Sequence, residues 1–499
     1  MATAPAKPSG PPQTGLFITR SMDALAQQPE GTAERPALRR ALGPWALIAL
    51  GLGNMVGAGI FATVGTGIHN YAGPAILISF LICAVASGCA GLCYAEFASM
   101  VPVAGSAYTY TYATLGEFFA WLIGWNLILE YGMSAAPVAT TFSANIQIAL
   151  TSIGVNLPHW AIGHYDPANG TYFDVIAFLC VVGFSILLTL GVKESAGLTN
   201  SIIVIVKMGV LAFFVIIALP HLNAANFTPF IPNGWYEKGA SALFPVIGII
   251  PGAFYAFFAF IGFDSVTVAA EEANKPKRDV PVGVLGSLAL GTLFYTAVAI
   301  ALIGLQPATK IDPNTPLPTA LAAVHLGQWA WTAILGAVLG TSSVVLTAIY
   351  GQSRIFMVMA RDGLLPKGIA KIHPRFQTPA RMTLIMGVVV GIMAGTFSLD
   401  TLLSFVNTGT LSAFLLVCLG VVILRRTQPE RVRPFKTPWV PFVPLVGVVL
   451  SLLLMVWGTD LFIWIRFGAW MVIGLLIYFA YGYRNSEERR AALRGGAAK

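Results

Sequence analysis

Twelve runs of about 20 apolar residues recur between Gly43 and Tyr483, and they constrain this chain more than any single motif does. A helix of that length, at about 1.5 Å per residue, crosses the hydrocarbon core of a bilayer. The runs fall near 43–69, 74–98, 118–150, 172–192, 197–220, 241–271, 281–305, 328–359, 381–398, 400–424, 440–458 and 461–483. Backbone polar groups in lipid must be satisfied inside the protein, so the runs predict an all-α polytopic membrane protein. Only 10% of the 499 residues are charged, against about 25% in a soluble domain.

The placement of the basic residues tests this count. With both termini inside, 25 of the 29 Lys and Arg fall in inner segments. Lys238, Lys310 and Arg466 fall outside, and Lys207 lies within a span. That bias is the one expected of a multi-pass protein of the cell membrane. It also explains the net charge of +8 without nucleic acid. Residues 1–41 are rich in Pro, Ala and Gln and read as a cytoplasmic tail without a signal peptide. The membrane domain then covers 42–483, and 484–499 form a second cytoplasmic tail. The five cysteines all sit in apolar runs and lack metal-site spacing, and the six histidines are scattered, so no cofactor or metal is expected.

Two runs carry interruptions. In Leu50–Phe61, the glycines at 51, 53, 57 and 59 crowd into nine residues, each costing roughly 1 kcal/mol in a helix against alanine. One reading is close helix packing through small residues. The other is an unwound stretch whose flanking half-helices offer free N–H groups to an anion and free C=O groups to a cation. A zwitterion with a carboxylate and an ammonium fits such a break. Gly262, Asp264 and Ser265 make a second weak point in the sixth run, five spans later. Spans one to five (about 43–220) and six to ten (about 241–424) then read as an inverted 5+5 repeat. Helices 1 and 6 are discontinuous in this scheme, and two extra helices follow over about 440–483.

Ionisable groups inside spans are functional candidates by default. Lys207 is a proton-coupling candidate or a structural ammonium held by the carbonyls of a broken helix. Glu130, in span three, is a second proton site or a hydrogen-bonded structural acid. Asp264 answers the backbone amides of its break or receives Tyr295. Glu96, Glu117, Glu271 and Glu272 lie at span ends and read first as interfacial. No P-loop, zinc-protease motif, paired Cys-x-x-Cys or nucleophile elbow is present, which argues against an enzyme and against ATP-driven transport. A channel would favour rings of like residues or a repeated pore loop, and neither is evident.

Several segments carry a resemblance: Gly51–Phe61, the Gly-Ser-Ala-Tyr-Thr-Tyr-Thr-Tyr run at 105–112, Trp125–Gly132, Phe263–Lys275 and Tyr350–Pro366. Together they resemble the amino acid–polyamine–organocation superfamily of transporters, in its bacterial branch similar to the cationic amino acid transporters. The likeness runs from about Ala41 to Tyr483 and implies a LeuT-like fold of 12 transmembrane helices. It also implies a symporter that takes up an L-amino acid with a proton. By position, the amides of Gly57, Ala58 and Gly59 would face the substrate carboxylate. Carbonyls near Met55 and of Phe258, Ala259 and Ile261 would face its ammonium, and Thr347 and Ala348 would border its side chain. Lys207 matches the family lysine that stands where sodium sits in sodium-coupled relatives. The absence of an acidic residue from the inferred side-chain pocket, Glu130 apart, favours neutral over cationic substrates. An exchanger on the same scaffold is the alternative. A small accessory membrane subunit is compatible with the sequence but not legible in it.

Overall fold

The computed structural model describes residues 42–490 except 58, 101–105, 191–197, 240–245, 371–372, 374–377 and 488, together with residues 16, 18 and 19. Ala58 and most of the two expected tails therefore lie outside the described residues.

Each apolar run is helical, continuous or broken. Among the described residues, seven helices are long and apolar enough to cross a membrane, and four shorter apolar helices accompany them. The elements that position the site are α1 (Pro44–Met55), α2 (Ile76–Met100), α3 (Ser106–Thr114), α4 (Glu117–Leu127), α5 (Ser134–Ser152), α6 (Val175–Thr189), α7 (Leu198–Ala218), α8 (Ile249–Ala256), α9 (Ser265–Val268), α10 (Pro276–Leu305), α11 (Pro316–Ala323), α12 (Ala330–Arg361), α13 (Ala380–Thr396), α14 (Leu399–Thr427), α15 (Phe442–Trp457) and α16 (Leu461–Ile477). A wide π turn at Ile128–Met133 joins α4 to α5, so the third run is one long rod. Ser398 separates α13 from α14 as an N-cap, its hydroxyl accepting the Thr401 N–H.

Two packed groups emerge. In the first, α10 lies along α2 and α1, and α8 lies on α2. In the second, α12 lies along α5, and α13 along α6. Close approach in the first group depends on absent side chains: a Cβ at Gly51 would stand 2.6 Å from Ser287 Oγ, and one at Gly283 2.7 Å from Leu47 Cβ. The last helix, α16, is largely exposed along its length, yet it is fastened to α4. Trp121 Nε1 donates to the Gly474 carbonyl at 3.0 Å and Trp125 Nε1 to that of Trp470 at 2.9 Å. The rings of Trp125 and Trp470 stack at 4.3 Å.

Two carboxylates expected at the interface are fully buried. Glu96 takes both Nε and Nη2 of Arg425 at 2.9 Å, the Thr437 amide at 2.8 Å and Arg433 Nε at 3.3 Å. It thereby folds the segment after α14 back onto α2. Glu117 is likewise surrounded by donors. Glu272 remains half-buried, and the Glu271 side chain lies outside the described residues. The correction has one cause: apart from Tyr112, the donors come from more than 300 residues away in sequence, where no local pattern announces them. Glu96→Ala strands two guanidinium groups and an amide and should cost about 3–5 kcal/mol, read as a lowered melting temperature in detergent; an unchanged transition would contradict the network's role.

Candidate functional site

Both interrupted runs come apart at their glycines. Helix α1 ends at Met55, and Val56 turns extended (φ −81°, ψ 92°), although its N–H still reaches the Leu52 carbonyl at 2.8 Å. The chain resumes as a π turn at Gly59–Thr63, a short helical turn at Val64–Thr66 and a second π turn at Gly67–Ala72. In the sixth run α8 tightens into a 3-10 turn, Phe257–Phe260, and Ile261 is extended (φ −71°, ψ 139°). Gly262 then takes φ +114°, a conformation that a side chain strains, before α9 begins.

The two breaks back onto each other in opposite directions. A Cβ at Gly59 would stand 2.4 Å from Ala259 Cα, and one at Gly262 2.9 Å from the carbonyl carbon of Asn54. Main chain thus meets main chain at the crossing. Helix α12 closes one side, with a Cβ at Gly57 reaching to 2.8 Å of Val344 Cγ2. Met55, Phe258, Ala259 and Ala348 are buried around this crossing, and Ile261 and Thr347 are half-buried. The Thr347 hydroxyl is turned back on its own helix, donating to Ser343 and Val344 carbonyls at 3.1 and 3.0 Å. Val344 was not singled out in the sequence, although it lies one helical turn from Ala348 and so shares its face.

The carbonyls left over by the first break are answered from α7. Lys207, fully buried, donates from Nζ to the Gly53 carbonyl at 2.7 Å and to that of Val56 at 3.1 Å. In an unbroken helix these oxygens would accept the amides of residues 57 and 60. An ammonium at a helix C-terminus also meets the negative end of the helix dipole. The amides of Gly57 and Gly59 sit where the resumed helix begins, the place at which intrahelical acceptors run out.

Asp264 is held by the hydroxyl of Tyr131, which donates to its Oδ2. Tyr295, the partner suggested by sequence, packs edge-on against Phe260 with a centroid distance of 5.6 Å, and its hydroxyl has no partner among the described residues. Tyr131 wins because a Cβ at Gly351 would lie 2.7 Å from its ring, so α12 leaves room for it to lie against the break. Glu130, the residue before it, is 2% exposed, and neither carboxyl oxygen finds a partner among the described residues. Beyond the breaks in the opposite direction, the Tyr71 and Tyr255 rings stack at 4.3 Å and Thr66 Oγ1 donates to the Pro313 carbonyl at 3.0 Å. The crossing is therefore covered from both ends. A cavity of about 560 Å³ opens farther out, between the end of α5 (Gln147, Thr151, Ser152) and the loop at Asp312 and Asn314.

A family model described as amino acid permease matches residues 42–480. A branched-chain amino acid permease of Bacillus subtilis (strain 168) is 40% identical over 463 residues, covering 91% of this chain and 96% of that protein. A methylthioribose transporter of the same organism is 36% identical over 473 residues, covering 95% and 99%. The vacuolar cationic amino acid transporter 2 of Arabidopsis thaliana is 38% identical over 403 residues, 80% of this chain but 62% of that protein.

Because Gly262 combines a left-handed conformation with a main-chain neighbour, Gly262→Val should lose about 2 kcal/mol or more of stability. Thermal unfolding of the purified protein checks this, and a variant as stable as the parent would contradict the close crossing.

Proposed function

This chain belongs to the amino acid permease family, and we propose that it is a secondary active transporter of neutral L-amino acids, driven by protons and working by alternating access. The observation that carries the reading is the pair of crossed helix breaks, one of them answered by a buried lysine. Such a crossing presents main-chain amides and carbonyls in a low-dielectric setting, where a hydrogen bond is worth more than in water. The amides of Gly57, Ala58 and Gly59 hold the substrate carboxylate. The carbonyls at Met55, Phe258, Ala259 and Ile261 hold its ammonium. These groups are common to all α-amino acids, so they select the class.

The side chain is read by what surrounds the crossing. Phe258, Ile261, Val344 and Ala348 offer apolar contact, and Thr347, its hydroxyl already occupied, adds a methyl group. Charge is disfavoured there, since an ionised side chain buried without a partner is costly. Substrate entry requires Gly59 to part from Ala259, and in alternating access that parting goes with one helix group rocking against the other. Each group draws helices from both halves of an inverted repeat, about 43–220 and 241–424, within a twelve-helix, LeuT-like arrangement with both termini cytoplasmic.

Lys207 is the proton-coupling group. Its ammonium ties α7 to the end of α1, and loss of the proton releases two carbonyls and with them the half-helix. Glu130 and Asp264, the latter accepting the Tyr131 hydroxyl, form a second proton site. A buried carboxyl without partners changes its proton only when its surroundings change, which is what coupling requires.

Lys207→Ala should abolish accumulation of leucine driven by a pH gradient in proteoliposomes; undiminished accumulation would refute the coupling role. Gly59→Val should remove the thermal stabilisation that leucine confers on the purified protein, by about 2.7 kcal/mol at a hundredfold excess over Kd. Near-normal stabilisation would place the substrate elsewhere. Counterflow without net accumulation in the parent protein would favour an exchanger. A shift with methylthioribose and none with amino acids would favour the sugar-like substrate named for one relative, which has neither carboxylate nor ammonium.

A further inference from the structure

The turn that leads from α14 into α15 is held in a fixed shape from within. Arg433, buried, donates from Nη1 to the Pro429 and Arg431 carbonyls at 3.0 and 2.8 Å. Its Nη2 donates to the Leu424 and Gln428 carbonyls at 3.2 and 2.6 Å. One guanidinium thus gathers the last turn of α14 and the chain that follows it. Further along, the Phe435 amide donates to Ser99 Oγ at 3.2 Å and the Thr437 hydroxyl to the Leu92 carbonyl at 3.0 Å, both on α2. Arg425 reaches the Thr437 carbonyl at 3.4 Å, while Glu96 accepts from Arg425 and from the Thr437 amide. Helix α15 then packs back along α14 and α2.

This anchoring decides which side chains stay outside. Arg426 and Lys436 are next in sequence to Arg425 and Thr437, so the Glu96 contact brings them within one arginine's reach of each other. Both are exposed, and neither has a hydrogen-bond or ion-pair partner among the described residues. Five basic residues lie between 425 and 436 against one acid there, Glu430. The buried Glu96 offsets one charge more, and a positive excess remains. Aromatic rings stand beside it. Trp439 takes φ +47°, a region few residues other than glycine occupy, and is 79% exposed. Phe442, the first residue of α15, is 65% exposed. Amphipathic rings and cations at the end of a membrane span match the headgroup level of a bilayer.

We propose that the turn between α14 and α15 is a binding site for an anionic phospholipid, in which Arg426 and Lys436 hold the phosphodiester while Trp439 and Phe442 lie against the glycerol and the upper acyl chains. Cations and rings together set the occupant. Free phosphate would use the cations and gain nothing from two exposed rings. A zwitterionic lipid would use the rings but bring a cation of its own to a surface already positive. A bound anionic lipid spans the same turn that Glu96 fastens to α2, so it ties α14 to α15 from the membrane side. The inference goes beyond the transport reading and does not depend on it.

The test titrates the purified full-length protein in detergent with dioleoylphosphatidylglycerol or dioleoylphosphatidylcholine and counts the retained lipid by native mass spectrometry. The parent should hold phosphatidylglycerol at least about tenfold more tightly than phosphatidylcholine, since each cation near an anionic lipid surface is worth about fivefold. Arg426→Gln with Lys436→Gln should weaken phosphatidylglycerol binding at least about tenfold, and Trp439→Ala about threefold. Glu430→Gln, which removes the acid of the turn, should tighten it about threefold to fivefold. A gain cannot come from misfolding, so this variant decides the matter even if the double variant unfolds early. Equal retention of the two lipids by the parent, or unchanged affinity in the folded double variant or in Glu430→Gln, would overturn the site. Displacement of the lipid by inorganic phosphate at about ten times the lipid concentration would reduce it to a general anion site and overturn the lipid assignment.

Discussion

The structure depends on the cost of leaving a peptide group unpaired where water cannot reach it. A helix satisfies that demand by itself, and a break in a helix does not. The break in the first run is sustained because Lys207 supplies two hydrogen bonds to the carbonyls it exposes, from a helix 150 residues away in sequence. The crossing of Gly59 with Ala259, the extended conformation of Val56 and the arrangement of α7 beside α1 all follow from that arrangement. At the sixth run the tightening of Phe257–Phe260 lets the Phe258 carbonyl accept the Ile261 amide, and the turn through Gly262 lets the Gly262 carbonyl accept the Ser265 amide.

The acidic residues divide according to what meets them. Glu96 and Glu117 are buried with full sets of donors and act as ties between distant segments. Asp264 has the Tyr131 hydroxyl, and Glu130 has nothing among the described residues. A charge with every lone pair engaged is static, whereas one without partners responds to whatever approaches. Under the proposed coupling, this contrast separates tying carboxylates from proton-carrying ones better than depth of burial does, since all four are almost wholly enclosed.

What could be read from the sequence follows the same logic. The breaks were legible because glycine is costly in a helix, and Lys207 because a cation in an apolar run is costly too; both are local signals. Tyr131 was missed as the partner of Asp264 because its reach depends on Gly351, on a helix 220 residues further along. Glu96 and Glu117 were assigned to the interface because Arg425 and Arg489 approach only in the folded chain. Val344 needed the register of α12 against Gly57. Hydrophobic runs and breaker residues announce elements; which faces meet is decided by packing between elements, and one chain read alone carries little of that.

The reciprocal contact of two glycine-lined backbones has a consequence for how such a protein can be studied. Groups belonging to the peptide bond survive any exchange of side chains, so an alanine survey across 53–57 and 257–262 would score the oxygens of Gly53 and Val56 as silent while they do most of the holding. Amide-to-ester replacement, which weakens a single carbonyl and deletes a single N–H without altering shape, is the chemistry that can interrogate them one atom at a time.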